Sequence, residues 1–208
     1  MSLRVILNFA LSADGKISTR KKTPAHFTSK RDLDRLHEIR ERADAILIGR
    51  GTLEADQMTM RSKNAPQPLR AIISKSGQFD HHHPIFQSEG GNLHLIITDG
   101  EGNSPKNTTT HHCSLAEWLD WLSEQPGIDT LLCEGGGQLA HALFELDCVD
   151  ELNLTLAAHS VFGGKNAPTL TGESSAFLAE STSYELQSIE EAGPEEFFLR
   201  YHKKVRLS

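Results

Sequence analysis

Residues Leu131-Leu132-Cys133-Glu134-Gly135-Gly136-Gly137-Gln138-Leu139 place an apolar run, a carboxylate and three glycines in direct succession. The run reads as the end of a buried strand, and residues 138–146 follow at once with helical spacing. Glycine lacks a Cβ, so a backbone there can approach a ligand closely. A helix N-terminus behind it offers free N–H donors and a partial positive charge. The combination suits a phosphate or pyrophosphate. The same pattern also makes an ordinary tight turn, so its meaning depends on what else the chain carries.

Working outward, apolar stretches recur at residues 3–11, 44–49, 69–74, 93–98 and 130–133. Between them lie helix-like segments. Thr28 or Ser29 can cap a helix to about Arg42, with Leu33, Leu36 and Ile39 on one face. Ser114 can cap another through Ser123, carrying Trp118, Trp121 and Leu122. Strands alternating with helices predict an α/β protein with a central, mostly parallel sheet flanked by helices. The last third changes character. Residues 151–157, 184–189 and 197–201 alternate in polarity, and Gly193-Pro194 marks a turn between the last two. That pattern predicts a C-terminal antiparallel hairpin added to the sheet. Residues 16–25 and 100–112 are polar and read as loops. There is no internal repeat and no long linker, so residues 1–208 are expected to form one domain.

The composition narrows the class. The chain has 208 residues, long enough to bury a substantial core. It carries 28 acidic against 21 basic residues, a formal charge of -7, which argues against nonspecific nucleic-acid binding. No apolar run is long enough to span a bilayer. The apolar start lacks a basic segment and a small-residue cleavage site, so no signal peptide is expected. Cys113, Cys133 and Cys148 show no paired spacing and fit free thiols in a cytoplasmic setting.

Three further segments carry chemistry. Gly49-Arg50-Gly51-Thr52-Leu53-Glu54-Ala55-Asp56 follows a buried strand, where ligands of open α/β sheets bind. Thr52 starts a short helix, and Asp56, four residues on, is expected on the same face. Ser12-Ala13-Asp14-Gly15-Lys16 is a turn that presents a lysine. Thr59-Met60-Arg61, with Arg40 on the earlier helix, supplies guanidiniums of the kind that grip phosphate. His81-His82-His83 and His111-His112 sit in polar surroundings without metal-ligand spacing, so no metal is expected. No Gly-x-Ser-x-Gly elbow is present.

In this order the segments resemble the pyrimidine reductase domain of riboflavin biosynthesis, which has the dihydrofolate-reductase-like fold. The resemblance rests on Leu11-Ser12-Ala13-Asp14-Gly15-Lys16, on Asp44-Ala45-Ile46-Leu47-Ile48-Gly49 with Thr52 and Asp56, on Glu134-Gly135-Gly136, on Val149-Asp150-Glu151-Leu152, and on Val161-Phe162-Gly163-Gly164. It runs from about residue 3 to 202. It implies an NADPH-dependent reduction at C1′ of the ring-opened ribose of a phosphoribosylamino-pyrimidine, giving the ribityl compound. Gly135, Gly136, Gly137 and Gln138 would hold the cofactor pyrophosphate. Gly49, Thr52, Ser74 and Thr98 would also contact NADPH, with Arg50 or Lys75 available for its 2′-phosphate. Asp56, Lys16 and Glu134 would surround the reacting ribose, and Arg61, Thr28, Arg40 and Thr59 would take the substrate. The resemblance also implies a homodimer; the alternating Leu152, Leu154 and Leu156 could supply its interface or equally be ordinary core. There is no His-x-Glu followed by Pro-Cys-x-x-Cys, so no deaminase domain is expected.

The chain departs from the family in two places. Asp56-Gln57-Met58-Thr59-Met60-Arg61 lacks a proline and is shorter than the family's loop. His159 stands where a proline or lysine is common. Two alternatives stay open: a reductase of the same fold acting on a pterin or another small molecule, and a nucleotide-binding protein without turnover. No tryptophan precedes Trp118, which weighs against dihydrofolate reductase itself.

Overall fold

The elements follow in the order β1 (Arg4–Ser12), α1 (Lys30–Arg40), β2 (Ala45–Gly49), α2 (Arg50–Ala55), β3 (Leu69–Ser74), α3 (Pro84–Gln87), β4 (Leu93–Ile97), β5 (Thr108–His112), α4 (Leu115–Ser123), β6 (Thr130–Cys133), α5 (Gly137–Glu145), β7 (Val149–Ala157), β8 (Tyr184–Gly193) and β9 (Glu196–Lys203). They are taken from a computed structural model, which describes residues 3–19, 27–64, 66–172, 178 and 181–204. Most of the loop expected at 16–25 lies outside the described residues. The chain forms two compact units, one centred on residues 37–133 and the other made of 4–36 with the chain from 134 onward.

In the first unit the strands lie in the order β5-β4-β3-β2-β6, and every pair is parallel. A strand flanked on both sides reads as a continuous apolar run, and Ala45, Ile46, Leu47 and Ile48 are all fully buried. Asp44 fixes the start of this run, its carboxylate accepting from Asp129 N and Thr130 N at 3.0 and 2.9 Å. The helix α4 is set by its sequence at both levels. Ser114 caps it in a reciprocal box with Glu117, and Leu115, Trp118, Leu119 and Leu122 bury one stripe. Burying each of these large side chains stabilises by roughly 1.5–3 kcal/mol.

In the second unit the order is β1-β7-β9-β8. β1 runs parallel to β7, and β7–β9 and β9–β8 are antiparallel, so the predicted C-terminal hairpin is present. β7 buries polar side chains. Its row Glu151, Asn153 and Thr155 is buried; on the other row Leu152 is buried and Leu154 and Leu156 are half-buried. Buried polar groups need partners. Arg4 pairs with Glu151, His202 Nε2 lies 3.2 Å from the same carboxylate, and Asn153 Nδ2 donates to Glu151 Oε1 at 2.7 Å. Arg35 of α1 donates to Asn153 Oδ1 and Thr155 Oγ1, each at 3.2 Å, with its guanidinium 4.4 Å over the Phe198 ring.

Three expectations change. Residues 108–112 are a strand, β5, rather than loop: three β-branched threonines fit a pleated strand whatever their polarity. The helix α1 does not bury Leu33, which is 52% exposed; Ile39 and Arg40 are its buried residues. His83, expected in a polar loop, is buried and caps the short helix α3.

Candidate active site

In the second unit, Ser12 closes the turn that presents Lys16. Its N–H donates to Lys16 O at 2.9 Å and its Oγ accepts from Lys16 N at 3.0 Å. Gly15 has φ +73, a conformation that glycine takes without steric cost. Asp14 ties this turn to the next one. Its carboxylate accepts from Ser12 Oγ at 2.6 Å, Gly163 N at 2.8 Å and Phe162 N at 3.2 Å. These bonds, the Ser12 hydroxyl first, hold its pKa below the usual carboxylate value. Lys16 forms a bridge to Thr169, and Ile17 N donates to Pro168 O at 2.9 Å.

The glycine segment follows β6. Glu134 is half-buried, Gly135 has φ +120, and the Gly135–Gly136 peptide is cis. Gly136 is the N-cap of α5, and no side chain caps the helix. Gln138 in its first turn is exposed. An uncapped first turn keeps its donors for a ligand or water. Gly137 answers to a different constraint. A Cβ there would meet Gly172 N at 2.3 Å and Thr169 O at 2.6 Å, so the turn at 169–172 packs against the start of α5. Thr28 is half-buried, and its hydroxyl bonds Asp32, whose pKa is raised by burial. Thr28 also lines a cavity of about 530 Å³ with Phe27, Ser29, His159, Phe162 and Glu196.

In the first unit, Gly49 is the N-cap of α2, again without a side-chain cap, and Thr52 is half-buried in its first turn. The helix ends at Ala55. Asp56 is therefore extended, with φ -135 and ψ 148, and does not share a helix face with Thr52 as expected. Its N–H reaches back to Thr52 O and Leu53 O, and its side chain is exposed. Thr59 is half-buried and its carbonyl accepts from Arg70 at 3.2 Å. Arg61 is exposed; its carbonyl accepts from Arg40 at 3.3 Å. Arg40 itself is buried, as is Arg70, whose pKa is lowered by desolvation and then by Arg61. Ser74 is buried with its Oγ accepting from Gly77 N, and Thr98 is exposed with its N–H on Ser74 O. Arg50 donates to Gln78 O and pairs with Glu54 at 3.3 Å. Lys75 is exposed.

The structure thus gathers Gly49, Thr52, Asp56, Thr59, Arg61 and Arg40 around one short helix and the loop after it. It gathers Lys16, the glycine segment and the 169–172 turn in the other unit. The sequence reading missed His83 and Arg70, which hold carbonyls of that loop. The signal for His83 was Pro84: proline is favoured at the first helical position, just after a cap. Among the described residues no three His, Cys, Asp or Glu side chains are grouped to hold a metal. None of the described helices is long and apolar enough to cross a membrane.

A relative named 2,5-diamino-6-ribosylamino-4(3H)-pyrimidinone 5′-phosphate reductase, from Methanothermobacter thermautotrophicus, is 29% identical over 201 residues, covering 88% of this chain and 90% of that protein. Among solved structures, a Thermotoga maritima diaminohydroxyphosphoribosylaminopyrimidine deaminase/5-amino-6-(5-phosphoribosylamino)uracil reductase superposes with a TM-score of 0.82 at 22% identity. The match covers 98% of this chain and 57% of that one. A dihydrofolate reductase from Enterococcus faecalis, complexed with NADP(H), has a TM-score of 0.54 at 16% identity and 97% coverage of each chain, so the fold is dihydrofolate-reductase-like. The family model for the RibD C-terminal domain matches residues 4–196, and the chain belongs to that family.

Proposed function

We propose that the chain is an NADPH-dependent reductase that converts the ribosylamino group of a pyrimidine 5′-phosphate to the ribitylamino group in riboflavin biosynthesis. The observation that carries the reading is the segment from Glu134 to Gln138. A carboxylate and a glycine turn lead into α5, whose first turn has no side-chain cap. That donor set fits a pyrophosphate. The family membership supplies the class of reaction, and the reductase named for the Methanothermobacter relative supplies the substrate.

Gly135, Gly136 and Gln138 would hold the NADPH pyrophosphate, with Gly49 and Thr52 as further contacts. When bound, NADPH supplies the hydride. The protein's own work is alignment and proton supply. The C1′–O bond of the ribose opens as C1′ becomes doubly bonded to nitrogen. Reduction at C1′ returns that electron pair to nitrogen, and one proton ends on the former ring oxygen. Lys16, Asp56 and Glu134 are the groups assigned to this proton. Arg61 would take the 5′-phosphate.

The homodimer expected of this enzyme finds support in β8. This strand leaves Leu186 and Ile189 at 48% and 61% exposure, whereas Leu152 is buried. Sedimentation of an Ile189→Glu variant as a monomer would support that seam.

The test of the function is absorbance at the nicotinamide band. Wild type is mixed with NADPH and the ribosylamino-pyrimidine phosphate, beside Asp56→Asn. Oxidation by the wild type, lost in Asp56→Asn with NADPH binding retained, is the expected result. A wild type that binds NADPH but never oxidises it refutes the assigned substrate. A wild type that does not bind NADPH refutes the enzyme reading altogether.

A further inference from the structure

The loop that follows α2 is held by its carbonyls. Over residues 56–61 three buried side chains do this, and none belongs to that stretch; further on, Ser62 and Gln67 hold the carbonyls of Asn64 and Ser62. His83 Nε2 lies 2.9 Å from Asp56 O and 3.0 Å from Leu53 O. Arg70 donates to Thr59 O at 3.2 Å, and Arg40 donates to Arg61 O at 3.3 Å. Between them Met60 is fully buried with φ +51, an anchor that a bulky residue adopts only when its surroundings impose it.

His83 is the most constrained of the three. Both groups facing its Nε2 are carbonyl oxygens, so Nε2 carries the proton. The group facing Nδ1 is Ile85 N–H at 3.3 Å, a donor, so Nδ1 is bare. One neutral tautomer satisfies every contact of a side chain that is 7% exposed. The ring therefore joins the last turn of α2 to the first turn of α3. Asp56 sits at that junction. Its N–H is bonded to Thr52 O and Leu53 O, and its C=O to His83. With both flanking peptide groups fixed, the backbone position from which the exposed carboxylate extends is set by these bonds.

We propose that His83 is a positioning residue for Asp56, acting through the Nε2–H bond to the Asp56 carbonyl. The inference rests on the reductase reading, in which Asp56 faces the reacting ribose. A misplacement of order 1 Å at a reacting group costs about a hundredfold in rate. The carbonyl bond is what prevents it here.

Two substitutions separate this role from simple support of α3. In His83→Asn, the side-chain oxygen replaces Nδ1 and keeps the cap on Ile85, as asparagine does at helix N-termini. No donor then reaches Asp56. In His83→Gln, the longer amide places its nitrogen near the position of Nε2 and restores that donor, while the cap is lost. The measurements are kcat and KM for NADPH oxidation with the ribosylamino-pyrimidine phosphate, the melting temperature, and amide exchange over residues 56–61 by mass spectrometry. The expected result is a fall in kcat of about tenfold or more in His83→Asn, with NADPH KM unchanged and exchange over 56–61 accelerated. His83→Gln should recover most of kcat even though it melts lower. Equal kcat in wild type and His83→Asn, or kcat that follows melting temperature in both variants, overturns the proposal. So does unchanged exchange at 56–61 in His83→Asn. A wild type without turnover overturns the reductase reading instead, and this role with it.

Discussion

Replacing Gly137 with alanine should destabilise the protein by about 3 kcal/mol, at the upper end of the usual overpacking cost. The added Cβ would lie 2.3 Å from Gly172 N, 2.5 Å from Gly172 Cα and 2.6 Å from Thr169 O. Ordinary carbon contacts fall near 3.5–4.0 Å, so each overlap is about 1 Å. All three atoms are backbone, and no flexible side chain stands ready to yield. The turn they belong to is closed by Gly172 N on Thr169 O at 2.9 Å and by Thr169 Oγ1 on Gly172 O at 2.8 Å. It is tied outward by the bond from Ile17 N to Pro168 O and by the bridge from Lys16 to Thr169. Moving it means breaking those contacts or tilting α5. A matched control exists in α2. A Cβ on Gly51 would meet nothing within 4 Å, so Gly51→Ala should be neutral or stabilise by up to about 1 kcal/mol. Urea denaturation followed by circular dichroism compares the two. At this chain length 3 kcal/mol corresponds to a melting temperature lower by roughly 6–12 °C. Gly137→Ala as stable as Gly51→Ala would refute the packing of the 169–172 turn on the helix start.

Ser114→Ala removes the side-chain half of the capping box on α4, the bond that Ser114 Oγ accepts from Glu117 N, and should cost about 1 kcal/mol, read as a lower urea midpoint with an unchanged slope. An unchanged midpoint would show that the fold does not use the cap. His94 bears on pH dependence. Burial, and then His111 stacked beside it, lowers its pKa to about 4, from 6.5. The folded value lies below the unfolded one, so the neutral ring costs nothing above about pH 6.5. As pH falls from there toward 4, stability drops by about 1.4 kcal/mol per unit from this group. The urea midpoint of His94→Gln should fall less steeply over that range; parallel curves would remove His94 from the account.

The sequence made some elements legible because their causes are local. The run at 69–74 coincides with β3, that at 130–133 with β6, and Ser114 with the cap of α4. In each case an apolar period or a capping pair lies within a few residues. The departures have nonlocal causes. Leu33 shares an apolar face with Leu36 and Ile39 in the sequence, but the face of α1 toward β7 is polar: Asp32 receives Thr155 Oγ1 at 2.6 Å, and Arg35 spans Asn153 and Thr155. Such a face reads as solvent-exposed until the partner strand is known. The same applies to β7, whose buried row is Glu151, Asn153 and Thr155. Their partners Arg4 and Arg35 lie far away in sequence, as does His202.

The loop after α2 takes this one step further. Its candidate chemistry is written in residue types, since Asp56 and Arg61 suit a ribose and a phosphate. Its conformation is not, because side chains outside it hold its main chain. A bond to a carbonyl places no demand on the identity of the residue that owns the carbonyl, so it leaves no pattern in the loop. This also changes what Arg40 does. Assigned from sequence to the substrate phosphate, it is buried and reaches the carbonyl of Arg61, whose own side chain is exposed. The loop lacks the proline that would have stiffened it from within. Donors from α1, β3 and the cap of α3 supply that stiffness from outside. The placement of Asp56 and Arg61 is therefore a property of the surrounding scaffold, and substitutions at Arg40, Arg70 or His83 should disturb it as surely as substitutions in the loop.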